Sequence, residues 1–207
     1  NGSLGKTECW FILDCKENAT LVVGHNAKTK EELEQMIHEG RWKEFIREIP
    51  IKPGDFIQID PGTVHAIKGG TLLLETQQSS DITYRVYDYD RLSNGKPRDL
   101  HVKQSIDVIT VPAKPVEDSV ISVKADKANE LCELISCKYY TVYKLDVEGK
   151  AELNVGDKPF LIMSVVAGSG TVDGNAIKKG DHFILPNGYS NPVFEGNMEI
   201  VASTVSK

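Results

Sequence analysis

A lysine, a glutamate and a histidine in this sequence could hold a metal ion or move a proton. Lys6 and Glu8 lie two residues apart in a run, residues 6–15, that reads as a β-strand, so their side chains share one face. His65 follows a Pro-Gly turn, residues 61–62, that ends another apolar strand. Carboxylate and imidazole are ordinary zinc ligands, and imidazole also suits Fe, Cu or Ni. A single histidine, or a glutamate on an edge strand, is more often structural, so the positions of the strands decide between these readings.

Arg85 is a further candidate, in a run of alternating character. The segment from Ile82 to Tyr87 predicts a strand with Thr83, Arg85 and Tyr87 on its polar face. If that face lines a barrel, Arg85 is a fixed positive group over a cavity; otherwise it is a solvated arginine.

The elements that must position these side chains recur along the chain. The turn, apolar strand and Pro/Gly turn of residues 54–65 return at residues 180–188. Asn191 stands in the second copy where His65 stands in the first. We therefore predict an all-β bicupin, made of two double-stranded β-helix or jelly-roll domains, with a candidate ligand in the first only.

The domain organisation follows from helix signals and a Pro-rich linker. A capping-box pattern at Thr29 and apolar residues at helical spacing predict a small helical insert over about residues 28–48. We expect the first domain, which carries the site, over residues 1–113, and the second over 114–207. His25 is expected in a turn, without a ligand role. The second domain is expected to hold separate short strands, among them 139–146, 151–154, 159–166 and 170–172.

Composition narrows the class of protein. Hydrophobic residues make up 40% of the 207 and charged residues 26%, which is ordinary for a globular chain. The net charge of −6, without a Lys/Arg block, argues against nucleic acid as a partner, and no apolar run approaches the ~20 residues of a membrane span. The four cysteines form no C-x-x-C pair, so we expect reduced thiols and a cytoplasmic protein.

Five ordered runs in residues 4–91 resemble the type I phosphomannose isomerases, and closely their short bacterial form. They are Gly5-Lys-Thr-Glu-Cys-Trp10, Lys52-Pro-Gly-Asp-Phe56, Pro61-Gly-Thr-Val-His-Ala66, Leu74-Glu-Thr-Gln-Gln78 and Asp81-Ile-Thr-Tyr-Arg-Val-Tyr-Asp-Tyr-Asp-Arg91. The resemblance continues more weakly through the second domain. It implies interconversion of mannose 6-phosphate and fructose 6-phosphate through a cis-enediol or enediolate, with one Zn²⁺ in a cupin barrel. The implied partner is a small hexose phosphate, and we expect a monomer or weak homodimer.

The resemblance also implies roles for particular residues. Glu8 and His65 correspond to two zinc ligands; the family takes the other two from a Gln-x-His-Pro motif, which this sequence does not contain. We therefore expect the chain to be a form that lacks the N-terminal segment with that motif. The residues placed around the pocket are Lys6, Glu75, Asp81 and Arg85.

Within that pocket, Arg85 is the expected stabiliser of the enediolate, and Lys6 a general acid/base or a contact to sugar oxygens. Glu75 and Asp81 either share proton transfer or orient Arg85. Arg98 and Lys103 are candidates for the phosphate by charge alone.

Two other functions compete with the isomerase. A non-catalytic cupin that binds a sugar or sugar phosphate fits the absence of the Gln-x-His-Pro motif. An iron-dependent oxygenase needs two histidines and a carboxylate, and the sequence offers one suitable histidine.

Overall fold

The chain forms two compact units of antiparallel strands. The computed structural model describes residues 5–121 and 127–206, and the first unit ends at Ile121. The division follows β9 (Val120–Ile121), which pairs with β4 (Phe56–Ile59) of the first unit. The domain boundary expected after residue 113 stays a prediction. In the described part of the chain, no helix has the length and apolar character needed to span a membrane.

The first unit contains a four-stranded sheet, a three-stranded sheet and a small hairpin. The four-stranded sheet has the order β6-β1-β4-β9, and the three-stranded sheet the order β3-β2-β5. The remaining bounds in this unit are β1 (Glu8–Cys15), β2 (Thr20–His25), β3 (Ile46–Pro50), β5 (His65–Ala66), β6 (Thr71–Gln77), β7 (Leu92–Ser93) and β8 (Lys96–Pro97).

Alternating apolar side chains of these strands form one core cluster. It contains Trp10 and Ile12 of β1, Leu21 and Val23 of β2, and Ile57 of β4, all at most 1% exposed. Successive residues of a strand point to opposite faces, so burying this set fixes the register of β1 and β2. That register determines where Glu8 and His65 lie.

The described residues of the first unit also form three α-helices and a 3-10 helix: α1 (Lys30–His38), α2 (Trp42–Phe45), α3 (Val102–Val108) and the 3-10 turn Val116–Asp118. Thr29 caps α1 by accepting from Glu32 N at 3.2 Å, as the capping-box pattern predicts. Leu33, Met36 and Ile37 form the buried face of α1. The burial of this face explains why so short a helix is stable, since isolated helices of this length are not.

The second unit is one sheet dominated by three 13-residue strands. Its strands are β10 (Cys132–Ser136), β11 (Tyr140–Glu152), β12 (Phe160–Val172), β13 (Asn175–Lys178), β14 (His182–Pro186) and β15 (Val193–Val205). The order is β10-β11-β15-β12-β13, with β14 on β12. Leu145, Leu161, Phe194 and Ile200 are completely buried in its core.

The breaks predicted within β11 and β12 are wrong, because glycines continue these strands instead of ending them. Gly149, Gly196 and Gly170 lie opposite one another in β11, β15 and β12. A Cβ on Gly170 would lie 2.1 Å from the Glu195 carbonyl oxygen. The absence of side chains at these glycines lets the backbones of the strands approach closely. From sequence spacing alone, the same glycines predict turns.

Candidate active site

Glu8 is a buried carboxylate at the start of β1, the central position of the candidate site. Its side chain is 1% exposed, and the residue pairs with Ile59 on one side and Gln77 on the other. Lys6 Nζ forms an ion pair with Glu8 Oε2 at 2.6 Å, and a carboxylate oxygen keeps a second lone pair that can bind a cation. A buried carboxylate is stable only when paired or bound to a cation, and strand pairing on both sides makes this one rigid.

His65 presents one ring nitrogen to Glu8 and uses the other to fix its orientation. Nε2 lies 3.2 Å from Glu8 Oε1, and Nδ1 lies 2.8 Å from the Thr63 carbonyl oxygen. A neutral ring that donates Nδ1–H to Thr63 carries its lone pair on Nε2. The ring also packs edge-on against Trp10, with centroids 5.6 Å apart. Metal-binding histidines use this arrangement, with a backbone carbonyl holding the nitrogen that does not bind.

The pair favours its charged forms. Burial raises the pKa of Glu8, but the contacts with His65 and Lys6 outweigh it and the pKa lies below its ordinary value. Burial likewise lowers the pKa of His65, yet the bond to Glu8, followed by that to Thr63, raises it above its ordinary value. A divalent cation at this position would replace the proton that His65 otherwise binds.

Glu75 lies beside this pair and is oriented by Trp10. Trp10 Nε1 donates to Glu75 Oε2 at 3.1 Å, and Lys6 Nζ lies 3.9 Å from Oε1. Lys6 Nζ also donates to Gln77 Oε1 at 2.7 Å. Lys6 is therefore held by three side chains, from Glu8, Glu75 and Gln77, which fixes its position.

A cavity of about 810 Å³ in the first unit joins Lys6, His65, Arg85 and Arg98 in its wall. Its volume lies in the range of small-molecule sites. Glu75 and Asp81 are not among the described residues that line it, and Asp81 is exposed. The structure therefore brings four of the expected site residues to one cavity, with Glu8 behind Lys6 and His65.

Arg85 lines the cavity, but the strand predicted over residues 82–87 is wrong. Arg85 N donates to His101 Nδ1 at 3.2 Å, and His101 N donates to Arg85 O at 2.7 Å. Because these backbone groups bond to a residue 16 positions away and not to a neighbouring strand, the segment forms no β-sheet hydrogen bonds. The Arg85 guanidinium donates to the Asp99 carbonyl at 3.1 Å.

The two residues proposed for phosphate lie in different surroundings. Arg98 lines the cavity and forms an ion pair with Asp88. Lys103 lies on α3, where it pairs with Asp107 at 2.8 Å and is 86% exposed, and it does not line the cavity. Charge alone could not separate these two candidates.

Sequence reasoning missed Asp88, Tyr89 and Arg91, which also line the cavity. Asp88 is nearly buried and binds Arg98 and Arg91, whose hydrogen bonds hold the pKa of this carboxyl far below its usual range. Tyr87 stacks on Trp42 with centroids 4.4 Å apart, and Tyr89 packs on Tyr87 at 4.6 Å. The spacing Asp-Tyr-Asp-Arg signals only a turn, and the partner Arg98 is distant in sequence.

His25 was also misplaced, since it is the last residue of β2 and only 3% exposed. Its Nε2 bonds to the Thr110 carbonyl at 2.9 Å, and its ring stacks on Phe45. The bond to a backbone carbonyl and the stacked aromatic ring give His25 a structural environment, while its Nδ1 has no hydrogen-bond partner among the described residues.

The donor set fits a metal ion only in part. Residues 5–121 and 127–206 contain no group of three or more His, Cys, Asp or Glu side chains that could hold one. Zinc sites use three or four protein ligands. Glu8 and His65 have the chemistry and orientation of two such ligands.

Comparison with known proteins identifies the chain's relatives. Residues 130–205 match the family model "Mannose-6-phosphate isomerase, cupin domain". The chain is 48% identical over 208 residues to mannose-6-phosphate isomerase ManA of Bacillus subtilis strain 168, covering 98% of this chain and 65% of that protein. The chain resembles the mannose-6-phosphate isomerases. The resemblance predicted from five short runs is thereby confirmed.

Solved structures agree in fold. The crystal structure of the mannose 6-phosphate isomerase from Bacillus subtilis superposes with a TM-score of 0.88 at 46% identity, over 98% of this chain and 65% of that one. A structure described as mannose 6-phosphate isomerase bound with zinc and yttrium has a TM-score of 0.75 at 13% identity, over 98% of this chain and 67% of that one. The fold is thus an all-β one with a cupin domain, as predicted. The chain spans just under two thirds of the curated relative's length.

Proposed function

We propose that this chain carries the pocket of a mannose-6-phosphate isomerase, which interconverts mannose 6-phosphate and fructose 6-phosphate with zinc as its metal. The observation that carries the proposal is the orientation of His65 Nε2 toward buried Glu8, beside Lys6 and a cavity large enough for a hexose phosphate. The names of the relatives supply mannose 6-phosphate as one substrate, and the family resemblance implies fructose 6-phosphate as the other.

The metal would be held by Glu8 and His65 together with further donors. Two ligands do not complete a zinc site, and the resemblance assigns the other two to a Gln-x-His-Pro motif that these 207 residues do not include. When bound, zinc would supply positive charge and orient sugar oxygens. The relative solved with zinc supports this choice of metal.

The reaction moves one proton between neighbouring carbons of the open-chain sugar. Removal of the C2 proton of the aldose leaves an enediolate with its negative charge on O1. Return of a proton to C1, with transfer of the O2 proton to O1, gives the ketose. Arg85 projects its guanidinium from a backbone fixed by His101, so it stabilises the developing oxyanion without reorganisation. A fixed charge of this kind typically contributes about 10²–10³ in rate.

Lys6 and Glu75 carry the remaining chemistry in this proposal. Lys6, clamped by Glu8 and Gln77, donates to a sugar oxygen or transfers the proton as a general acid/base. Glu75, held by Trp10 and 3.9 Å from Lys6, orients the lysine. Asp81 is exposed and outside the cavity wall, so a contact with substrate requires the segment to move.

The finer architecture belongs to the same proposal. Each unit corresponds to one cupin domain of a bicupin, and α1 and α2 form an insert between β2 and β3 of the first. A cytoplasmic location and a monomer or weak homodimer remain predictions.

A non-catalytic sugar-phosphate binder is the second candidate, favoured by the two-ligand donor set. A coupled isomerase assay, combined with deuterium incorporation from solvent at C2, separates the two functions. We expect Arg85→Gln to lower kcat by at least about a hundredfold and to leave substrate binding detectable. Arg41→Gln, which alters a partly exposed arginine of the helical region, should leave kcat unchanged. Binding of mannose 6-phosphate without any isomerisation or exchange would establish the binder instead.

A further inference from the structure

Two arginines share one carboxylate in the wall of the cavity. Arg98 donates from Nε to Asp88 Oδ2 at 2.7 Å and from Nη2 to Oδ1, and Arg91 Nη2 donates to Oδ1 at 2.6 Å. The Asp88 side chain is only 8% exposed, whereas those of Arg91 and Arg98 are 62% and 39% exposed. The arrangement therefore buries the carboxylate and leaves both guanidiniums exposed in the cavity wall.

The charge of this cluster is unbalanced. Two guanidiniums against one carboxylate leave one positive charge, in a chain whose net charge is −6. Among the other charges of the wall, Lys6 is paired with Glu8 and Asp60 with Lys114, while Arg85 bonds to the Asp99 carbonyl and adds a further positive charge. The cavity thus has a local excess of positive charge that attracts an anion.

The backbone of this segment has two consecutive non-glycine residues with positive φ. Tyr89 and Asp90 both have positive φ angles, of 56° and 55°, a region that costs most residues roughly 1–2 kcal/mol each. The turn brings Arg91 N within 3.1 Å of the Asp88 carbonyl and Arg91 Nε within 3.3 Å of it. Strain of this kind persists where surrounding contacts over-determine it and is concentrated at functional sites.

We propose that Arg91 and Arg98 bind the phosphate group of the substrate, and that Asp88 is the positioning residue that holds both guanidiniums in place. This proposal rests on the proposed function for the identity of the ligand. A guanidinium fork matches phosphate oxygens, and each arginine keeps one terminal nitrogen outside its bonds to Asp88.

For Asp88→Asn, a positioning role and a purely electrostatic role predict opposite changes in anion affinity. Removing a carboxylate beside an anion site makes the site more positive, and Coulomb attraction alone predicts tighter anion binding. If Asp88 positions the arginines, Asp88→Asn weakens binding, because two mobile and mutually repelling guanidiniums replace a fixed pair.

Calorimetric titration with inorganic phosphate, mannose 6-phosphate and mannose tests the site. We expect Arg91→Gln and Arg98→Gln each to weaken binding of both phosphate ligands about tenfold, the typical effect of one charge-assisted hydrogen bond. Asp88→Asn should weaken it as well, and mannose binding should be unchanged. Glu44→Gln, at the ion pair of Arg41 and Glu44, is the matched control and should have no effect.

Unchanged phosphate binding in both arginine variants would overturn the site, and tighter binding in Asp88→Asn would overturn the role of Asp88. Arg91→Lys keeps the positive charge of this exposed side chain but loses the planar guanidinium. If Asp88→Asn fails to fold, this variant tests whether phosphate binding depends on guanidinium geometry or on charge alone. A failure of the proposed function can be told apart from a failure of the phosphate site. If phosphate binding needs both arginines but the protein does not isomerise the sugar, the phosphate site stands and the proposed function fails. If both arginine variants isomerise mannose 6-phosphate with the KM of the parent protein, the phosphate site is overturned and the proposed function stands.

Discussion

His65 Nε2 lies 3.2 Å from Glu8 Oε1, while Nδ1 of the same ring lies 2.8 Å from the Thr63 carbonyl. The carbonyl selects the ring nitrogen that faces the carboxylate. Without a cation, a proton must lie between them, which accounts for the raised pKa of His65 against the effect of burial. This geometry supports the proposal that a metal ion takes the place of that proton.

Lys6 should help, after His65, to keep the pKa of Glu8 low. Lys6→Met removes the cation 2.6 Å from Glu8 Oε2, so we expect the pKa of Glu8 to rise toward the value that burial favours. Carboxyl carbon chemical shifts followed against pH measure this change. Lys52→Met, at an exposed ion pair with Asp55, is the control, and an unaltered Glu8 titration in Lys6→Met would contradict the assigned role.

His25 should make the protein less stable in mild acid. Burial lowers the pKa of His25, with further effects from the bond to Thr110 and neighbouring charges. The unfolded chain therefore binds a proton near pH 6.5 that the folded chain does not. The free energy of unfolding contributed by His25 is present above about pH 6.5 and is lost as the pH falls toward the lower folded pKa, by at most about 1.4 kcal/mol per pH unit.

Urea unfolding at pH 7 and pH 5 measures this loss. His25→Gln keeps an N–H donor for Thr110 and should lose less stability between the two pH values than the parent protein does. His38→Gln, at the exposed end of α1, should behave like the parent. An equal loss in all three proteins would show that His25 is not responsible.

Gly170 should tolerate no side chain. Its added Cβ would lie 2.1 Å from the Glu195 carbonyl oxygen, so Gly170→Ala must separate β12 from β15 and should cost about 1–3 kcal/mol of unfolding free energy. Gly69→Ala is the control, because nothing lies within 4 Å of its Cβ position. Thermal unfolding compares the two variants, and equal midpoints would refute the close approach of the strands.

Local sequence rules predicted those parts of the site that depend on neighbouring residues. Strand alternation placed Lys6 and Glu8 on one face, and their side chains are 2.6 Å apart. The link from Glu8 to His65 came from the resemblance, because 57 positions of chain separate them and the register of two sheets brings them together.

The errors have a common physical cause, which is bonding to distant partners. Alternation at Arg85 suggested a strand, but His101 satisfies the backbone of that residue instead. The sequence around Asp88 predicts only a turn, whereas in the structure Asp88 bonds to Arg98. Gly170 was predicted to begin a separate strand, because sequence spacing carries no information on the facing Glu195.

Zinc titration of the chelator-washed protein tests whether Glu8 and His65 bind a metal ion. We expect one zinc site per chain, weak with only two protein ligands, whose affinity falls at least about tenfold in both Glu8→Gln and His65→Ala. Glu17→Gln and His38→Ala, at exposed positions, should bind zinc as the parent does. Equal zinc affinity in the parent and in both site variants would contradict the assignment of Glu8 and His65 as metal ligands.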